Sequence, residues 1–176
     1  MTLPVVEQNL HFLRQGADLL RRLDDETYAD PGSDRPRAAG VGAHFRHCLD
    51  FYHCFLRDLE GGRIDYDQRD RRGALESEIH AALAAVEDVM ARLSLIPEER
   101  ADRSVEVRHD LAPDDGSVTA WQGSTVGREL RFLASHTVHH YALIAHIVRA
   151  QGIEPGEEFG VAPATLEYWH ARATAG

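Results

Sequence analysis

Four stretches of the chain carry apolar residues at spacings of three and four, the pattern of a helix with one buried face. The apolar positions are Val6, Leu10, Leu13, Ala17 and Leu20 in the first stretch; Val41, Phe45, Cys48, Tyr52, Phe55 and Leu59 in the second; Leu75, Ile79, Leu83, Val86, Met90 and Leu93 in the third; and Leu130, Leu133, Thr137, Tyr141, Ile144 and Val148 in the fourth. Four amphipathic helices can bury all four faces by packing together. The pattern predicts an all-α fold, an antiparallel four-helix bundle that forms a single domain over residues 1–176.

Prolines and glycines set the expected ends of the first two helices. The first begins with Thr2 as its cap and Pro4 in its first turn, and it is expected to run to about Glu26. Residues 30–36 contain two prolines and a glycine and are predicted to form a loop. The second helix is expected from about Arg37 to the glycine pair at 61–62.

Between the second and fourth helices the pattern is less regular. Residues 63–72 mix charges of both signs without periodicity, which predicts a solvated loop. Pro97 ends the third helix. Residues 105–107 and 118–120 alternate apolar and polar positions around a turn at Asp115-Gly116, which predicts a small β-hairpin between the third and fourth helices.

The fourth helix is the longest predicted element. Ser124 is its expected cap and Gly152 its expected end. After it, the apolar group Leu166, Tyr168 and Trp169 could form a short helix packed across one end of the bundle.

Composition excludes several classes of partner. The chain has 29 acidic and 19 basic residues, and its net charge of −10 repels nucleic acid and anionic membrane surfaces. The most apolar run, residues 141–148, is interrupted by His146 and is too short to span a bilayer, and no secretion signal is visible. Cys48 and Cys54 lie on different sides of one helix and cannot pair with each other. We therefore expect a soluble, cytoplasmic protein with reduced thiols.

Histidines on two of the predicted helices are the strongest chemical signal. His136 and His140 lie four residues apart on the fourth helix, so their rings project from one face about 5.4 Å apart along the axis. His47 on the second helix could supply a third ligand. We predict a metal site formed by His47, His136 and His140, because three neutral imidazoles leave a fourth coordination position open to water or substrate. The reacting group would then be a metal-bound water or thiolate, and no protein side chain is assigned that role.

Other readings of the same residues stay open. Each histidine could instead be a buried residue satisfied by local hydrogen bonds. His44 could replace His47 as a ligand, and His139 either borders the site or meets solvent. Asp50 could orient a metal-binding imidazole through a hydrogen bond or form an exposed salt bridge, and Glu129 could reach the mouth of the pocket.

Three common catalytic patterns are missing from the sequence. No glutamate follows His136, as a zinc protease of the His-Glu-x-x-His type would require. No glycine-rich phosphate loop and no Gly-x-Ser-x-Gly motif occurs. Nucleotide binding and serine hydrolysis therefore have no support.

Two short strings resemble a known family. Gly40-Val41-Gly42-Ala43-His44-Phe45-Arg46-His47 and His136-Thr137-Val138-His139-His140-Tyr141 are similar to the signatures that DinB-like proteins carry on the second and last helices of their bundle. The resemblance implies an antiparallel four-helix bundle, often homodimeric, that binds a divalent ion such as nickel or zinc through three histidines. These histidines would be His47, His136 and His140.

The resemblance also implies a range of activities. Some relatives are transferases or isomerases that use a low-molecular-weight thiol, and others are described as hydrolases. The mycothiol-dependent isomerases have a glutamate in place of one histidine, and the present chain departs from that pattern.

Two kinds of function fit these predictions. The first is a metal-dependent transferase or hydrolase that acts on a small-molecule substrate, with the ion as a Lewis acid. The second is a non-enzymatic, metal-stabilised dimeric bundle that binds a small ligand or a protein partner. If no metal binds, a helical interaction module would remain.

Overall fold

A computed structural model of the protein describes residues 4–30, 39–70, 73–109 and 120–173. The α-helices in these segments are α1 (Val5–Leu20), α2 (Asp25–Ala29), α3 (Val41–Asp58), α4 (Ala74–Ser77), α5 (Ile79–Leu93), α6 (Val126–Ala150) and α7 (Pro163–Ala173), and a 3-10 helix spans Glu98–Asp102. The strands are β1 (Arg63–Asp65), β2 (Ser104–Arg108) and β3 (Gln122–Thr125). The prediction of a mostly helical protein is confirmed.

Four long helices surround the core. α1 packs against α5 and α6, and α3 packs against the same two helices. The buried apolar side chains of these helices and of the strands belong to one hydrophobic cluster. Burial of this apolar surface is the main force that holds the helices together.

The first helix ends earlier than the sequence predicted. α1 ends at Leu20, and Asp24 begins the separate helix α2, where its side chain accepts a hydrogen bond from the Thr27 amide at 2.8 Å. The acidic residues Asp25 and Glu26 therefore lie in a first helical turn. Negative charge is favourable at that end of a helix and unfavourable at the other, so a new helix suits these residues better than a longer α1.

The prediction of a solvated loop at residues 63–72 was wrong for its first part. β1 pairs in parallel with β2, and Ile64 lies opposite Val107. Ile64 and Tyr66 are both buried. A strand of three residues is too short to leave a periodic signal, which explains why sequence alone did not predict it.

The third predicted helix is divided into α4 and α5. Glu78 has extended backbone angles between them, and the Ile79 amide donates to the Asp25 side chain at 3.2 Å. The division lets α4 approach α3 closely: a Cβ on Gly42 would lie 2.0 Å from the carbonyl oxygen of Glu76. Gly42 therefore has no room for a side chain.

The predicted hairpin is present in part. β2 and β3 are antiparallel, with Val105 opposite Ser124, while the turn predicted at residues 115–116 lies outside the described residues. Ser124 belongs to β3 and does not cap the following helix. The cap of α6 is Thr125, whose hydroxyl accepts from the Arg128 amide.

The C-terminal helix departs from its predicted packing. α7 forms where a short helix was expected, but Tyr168 and Trp169 are 57% and 48% exposed. These two aromatic rings do not pack across an end of the core. Within the described residues, no helix combines the length and the apolar character needed to cross a bilayer.

Candidate metal centre

A buried polar network joins the two helices that carry the histidines. The Tyr52 hydroxyl on α3 donates to the Asn9 side chain on α1 at 2.8 Å, and the Thr137 hydroxyl on α6 lies 3.2 Å from the Tyr52 oxygen. Asn9 in turn donates to the Leu130 carbonyl of α6 at 3.0 Å. Because leaving such buried groups unpaired costs roughly 1–3 kcal/mol, the network favours one alignment of α3 against α6.

That alignment brings together the three histidines that the sequence singled out. One ring nitrogen from each of His47, His136 and His140 can be chosen such that all three lie within 4.8 Å of one another. The ring centroids are 4.9 Å apart for His47 and His136, 4.7 Å for His47 and His140, and 4.5 Å for His136 and His140. We call these residues the histidine triad.

The environment keeps the histidine triad uncharged near neutral pH. Burial, with smaller contributions from Arg69 and other nearby cations, lowers the pKa of His47 to about 4. Burial and the neighbouring triad members lower the pKa of His136 to about 4 and that of His140 to about 3. Each imidazole therefore keeps a lone pair that is available to a cation.

One atom of the triad has no partner in the described part of the chain. His136 Nε2 is buried and forms no hydrogen bond there. A buried polar atom without a partner is unfavourable, and a metal ion would remove that penalty. Three neutral imidazole nitrogens also suit zinc, nickel and related ions, so the residues present fit a divalent transition metal. The triad could hold such an ion.

His44 lies beside the triad. Its Nδ1 is 2.9 Å from Nδ1 of His140, a hydrogen-bonding distance, and burial lowers its pKa. This contact occupies Nδ1 of His140 and leaves Nε2 as the nitrogen that can face a metal. His44 is thus placed to orient a triad member and is not part of the group of converging nitrogens.

His139 and Asp50, two further candidates from the sequence, lie near the triad in different roles. His139 is exposed, and its ring centroid is 5.2 Å from that of His140, so it borders the site at the surface. Asp50 is buried and pairs with Arg46 at 3.0 Å, rather than with an imidazole of the triad. Its salt bridge is therefore buried, whereas the sequence had suggested an exposed one.

Glu129 lines a cavity next to the triad. It is buried, and it accepts hydrogen bonds from the Tyr66 hydroxyl at 3.0 Å and from the Ser124 hydroxyl at 2.5 Å. The cavity measures about 160 Å³ and is also lined by His109 and Phe132. Glu129 thus lines a cavity that adjoins the triad through Phe132, whose ring centroid is 5.7 Å from that of His136.

Sequence reasoning missed two residues from outside α3 and α6, Arg69 and His109, which contact Phe51 of α3 beside the triad. The ring of Phe51 contacts those of His47 and His136, with centroids 5.1 and 4.7 Å apart. The guanidinium carbon of Arg69 lies 5.2 Å from the Phe51 ring centroid. The His109 ring stacks on the Phe51 ring, with centroids 5.4 Å apart. Arg69 and His109 come from irregular segments with no periodic pattern, so no signal in the sequence placed them here.

The fold and this site define a mostly helical protein with three histidines that could hold a metal ion. A sequence profile of the DinB superfamily matches residues 10–144, which include the entire histidine triad. The chain belongs to the DinB superfamily, whose members are often metal-dependent.

A more distant similarity links the chain to a curated fungal protein. It is 29% identical over 105 residues to FK506-binding protein 5 of Rhizopus delemar, a match that covers 60% of this chain and 27% of that protein. The chain thus matches about a quarter of the length of this relative. No solved structure matches the chain.

Proposed function

We propose that this protein is a divalent-metal-dependent enzyme in which His47, His136 and His140 hold zinc or nickel. The observation that carries the proposal is the convergence of three imidazoles, with one nitrogen of each within 4.8 Å of the others. His136 Nε2 is also buried without a hydrogen-bond partner among the described residues. Membership in the DinB superfamily supports it. The substrate is a small molecule, and the reaction is either a thiol-dependent transfer or a hydrolysis.

The residues around the triad suit such chemistry. A divalent ion would supply Lewis acidity at the coordination position that three histidines leave open. Phe51 and Phe132 pack against His136 and exclude water from that side. A cavity of about 370 Å³ beside His47 is large enough for a small molecule.

The proposal includes the finer architecture. The circular order of packing, in which α1 and α3 both contact α5 and α6, supports an antiparallel four-helix bundle in a single domain. A homodimer and a low-molecular-weight thiol as cosubstrate follow from the family resemblance alone. The cytoplasmic location stays a prediction, and the two cysteines, both buried and unpaired, are compatible with it.

Metal analysis of protein purified without a polyhistidine tag tests the site. We expect close to one zinc or nickel ion per chain, and loss of that ion in His136→Gln. His139→Gln is the matched control and should retain the metal, because His139 is exposed and lies outside the triad. Metal-free wild-type protein that also fails to bind added zinc would contradict the proposal.

The reaction class requires a second experiment. Low-molecular-weight thiols added to cobalt-substituted protein should produce a sulfur-to-metal charge-transfer band if the enzyme is a transferase. For a hydrolase, activity against a panel of esters and amides should disappear on chelation and in His140→Ala. Absence of both results in metal-loaded protein would argue against catalysis and favour a non-enzymatic role.

A further inference from the structure

We propose that Arg69 binds a carboxylate of the ligand beside the metal position, so that the substrate or cosubstrate is a small carboxylic acid in its anionic form. The inference rests on the proposed metal-dependent function and assigns the chemical class of molecule that the same site receives.

Arg69 is close to the histidine triad, and its side chain forms no hydrogen bond or ion pair with the described residues. Its guanidinium lies 5.2 Å from the centroid of Phe51, the ring that packs against both His47 and His136. Its Nε is buried and donates to no acceptor in the described segments. A buried N–H without an acceptor is unfavourable, and an incoming oxygen ligand would satisfy it.

The nearby carboxylates are already paired with a different arginine. Arg46 binds Asp50 at 3.0 Å and Glu76 at 2.8 Å. Burial raises the pKa of Asp50, against the opposing charges of Arg46 and Arg69. The described residues include no carboxylate within ion-pair distance of Arg69. Among the residues that the structure describes, Arg69 is therefore a cation without a counter-ion at this position.

Arg69 and the triad member His47 line one cavity, so the guanidinium lies near any ion that the triad holds. Two positive charges this close repel each other in a partly desolvated site. A divalent ion at the triad would be subject to this repulsion from Arg69, and an anionic ligand that contacts both would relieve it.

A cavity connects the two cationic positions. It has a volume of about 370 Å³ and is lined by Arg46, His47, Asp50, Arg69 and Glu76. A molecule in this cavity can reach His47 on one side and Arg69 on the other. One planar guanidinium matches the two oxygens of one carboxylate through paired hydrogen bonds, which is why we assign a carboxylate to this position.

Two small thiols that differ in one end group test the assignment. Cobalt-loaded, untagged protein is titrated with 3-mercaptopropionate and with 2-mercaptoethanol, and the charge-transfer band reports binding of each. We expect wild-type protein to bind 3-mercaptopropionate about tenfold more tightly, as one charge-assisted pair allows. In Arg69→Gln this preference should fall to about twofold or less, while cobalt content and the affinity for 2-mercaptoethanol stay unchanged.

The control and the contrary results separate this inference from the metal site. Arg63→Gln removes the same charge from β1, where Arg63 stacks on Trp121, and should keep the wild-type preference. Because the thiols differ in acidity, the change in the affinity ratio between proteins is the decisive quantity. The proposed role of Arg69 is overturned if the ratio of the two thiol affinities is equal in wild type and Arg69→Gln, or if cobalt-loaded protein binds neither thiol. Neither result contradicts the metal site. Protein that takes up no cobalt overturns the metal site and this inference together.

Discussion

The contact between His44 and His140 leads to a prediction about metal affinity. Their Nδ1 atoms are 2.9 Å apart, so one of the two must donate a proton to the other. If His44 donated, the proton of neutral His140 would be on Nε2, and that nitrogen could not bind a metal. The metal-binding arrangement therefore requires His140 to donate from Nδ1 and His44 to accept. Burial lowers the pKa of His44, which keeps it neutral and able to accept.

The size of the effect follows from this single hydrogen bond. Both rings are half-buried, so a net value of about 0.5–1.5 kcal/mol applies. Removing His44 also lets the His140 ring rotate and change its tautomer. Loss of a hydrogen-bond partner of a metal-binding histidine lowers metal affinity by about 10- to 100-fold. For a half-buried pair we expect the lower limit, about a tenfold weaker binding of zinc in His44→Ala. His44→Gln keeps an acceptor oxygen and should lose about threefold or less.

Competition between the untagged protein and a chromophoric zinc chelator measures these affinities. His80→Ala is a suitable control because His80 is an exposed histidine on α5, outside the group of converging nitrogens, and its loss should not change zinc affinity. If His44→Ala binds zinc within twofold of wild type, the proposed donor and acceptor assignment is incorrect. If His44→Ala abolishes binding completely, His44 acts as a ligand and the triad is incompletely described.

Three further predictions concern stability. In the unfolded chain the triad histidines take up protons at the ordinary pKa of about 6.5, whereas burial in the folded protein lowers their pKa to about 3 to 4. The free energy of unfolding of the metal-free protein should therefore fall as the pH is lowered from about 6.5 to about 4. Thermal melts in that range check this, and a pH-independent melting temperature would count against neutral buried imidazoles. Tyr52→Phe leaves the buried amide oxygen of Asn9 unpaired and should lower the free energy of unfolding, measured in urea, by about 1–3 kcal/mol. Tyr168 is exposed, so Tyr168→Phe should change this free energy by less than about 0.5 kcal/mol. Gly42→Ala should lower the free energy of unfolding by about 1–3 kcal/mol, because the added methyl group would overlap the Glu76 carbonyl. Gly73→Ala should not lower it, because the space around Gly73 is open. Similar values for the two variants would refute the close approach of α4 and α3.

The helices and the triad were accessible from the sequence because both leave a periodic trace. Apolar residues at spacings of three and four predicted the regions of α3 and α6, and a spacing of four placed His136 and His140 on one side of α6. A third histidine at position 47 had to come from another helix, and the structure brings it within 4.9 Å of the ring of His136. Local pattern thus determined which side chains were available for the site.

The surroundings of the site were decided only by the tertiary structure. Arg69 and His109 lie in irregular segments, and their approach to Phe51 depends on how β1 packs against α3 and how β2 pairs with β1. The same applies to Asp50, which packing directs to Arg46. Helical spacing repeats along one element and can be read from the chain, whereas contacts between distant segments depend on the packing of the whole core and leave no local pattern. The sequence by itself determined the histidines of the candidate metal centre, and the folded chain determined the charges and cavities around them.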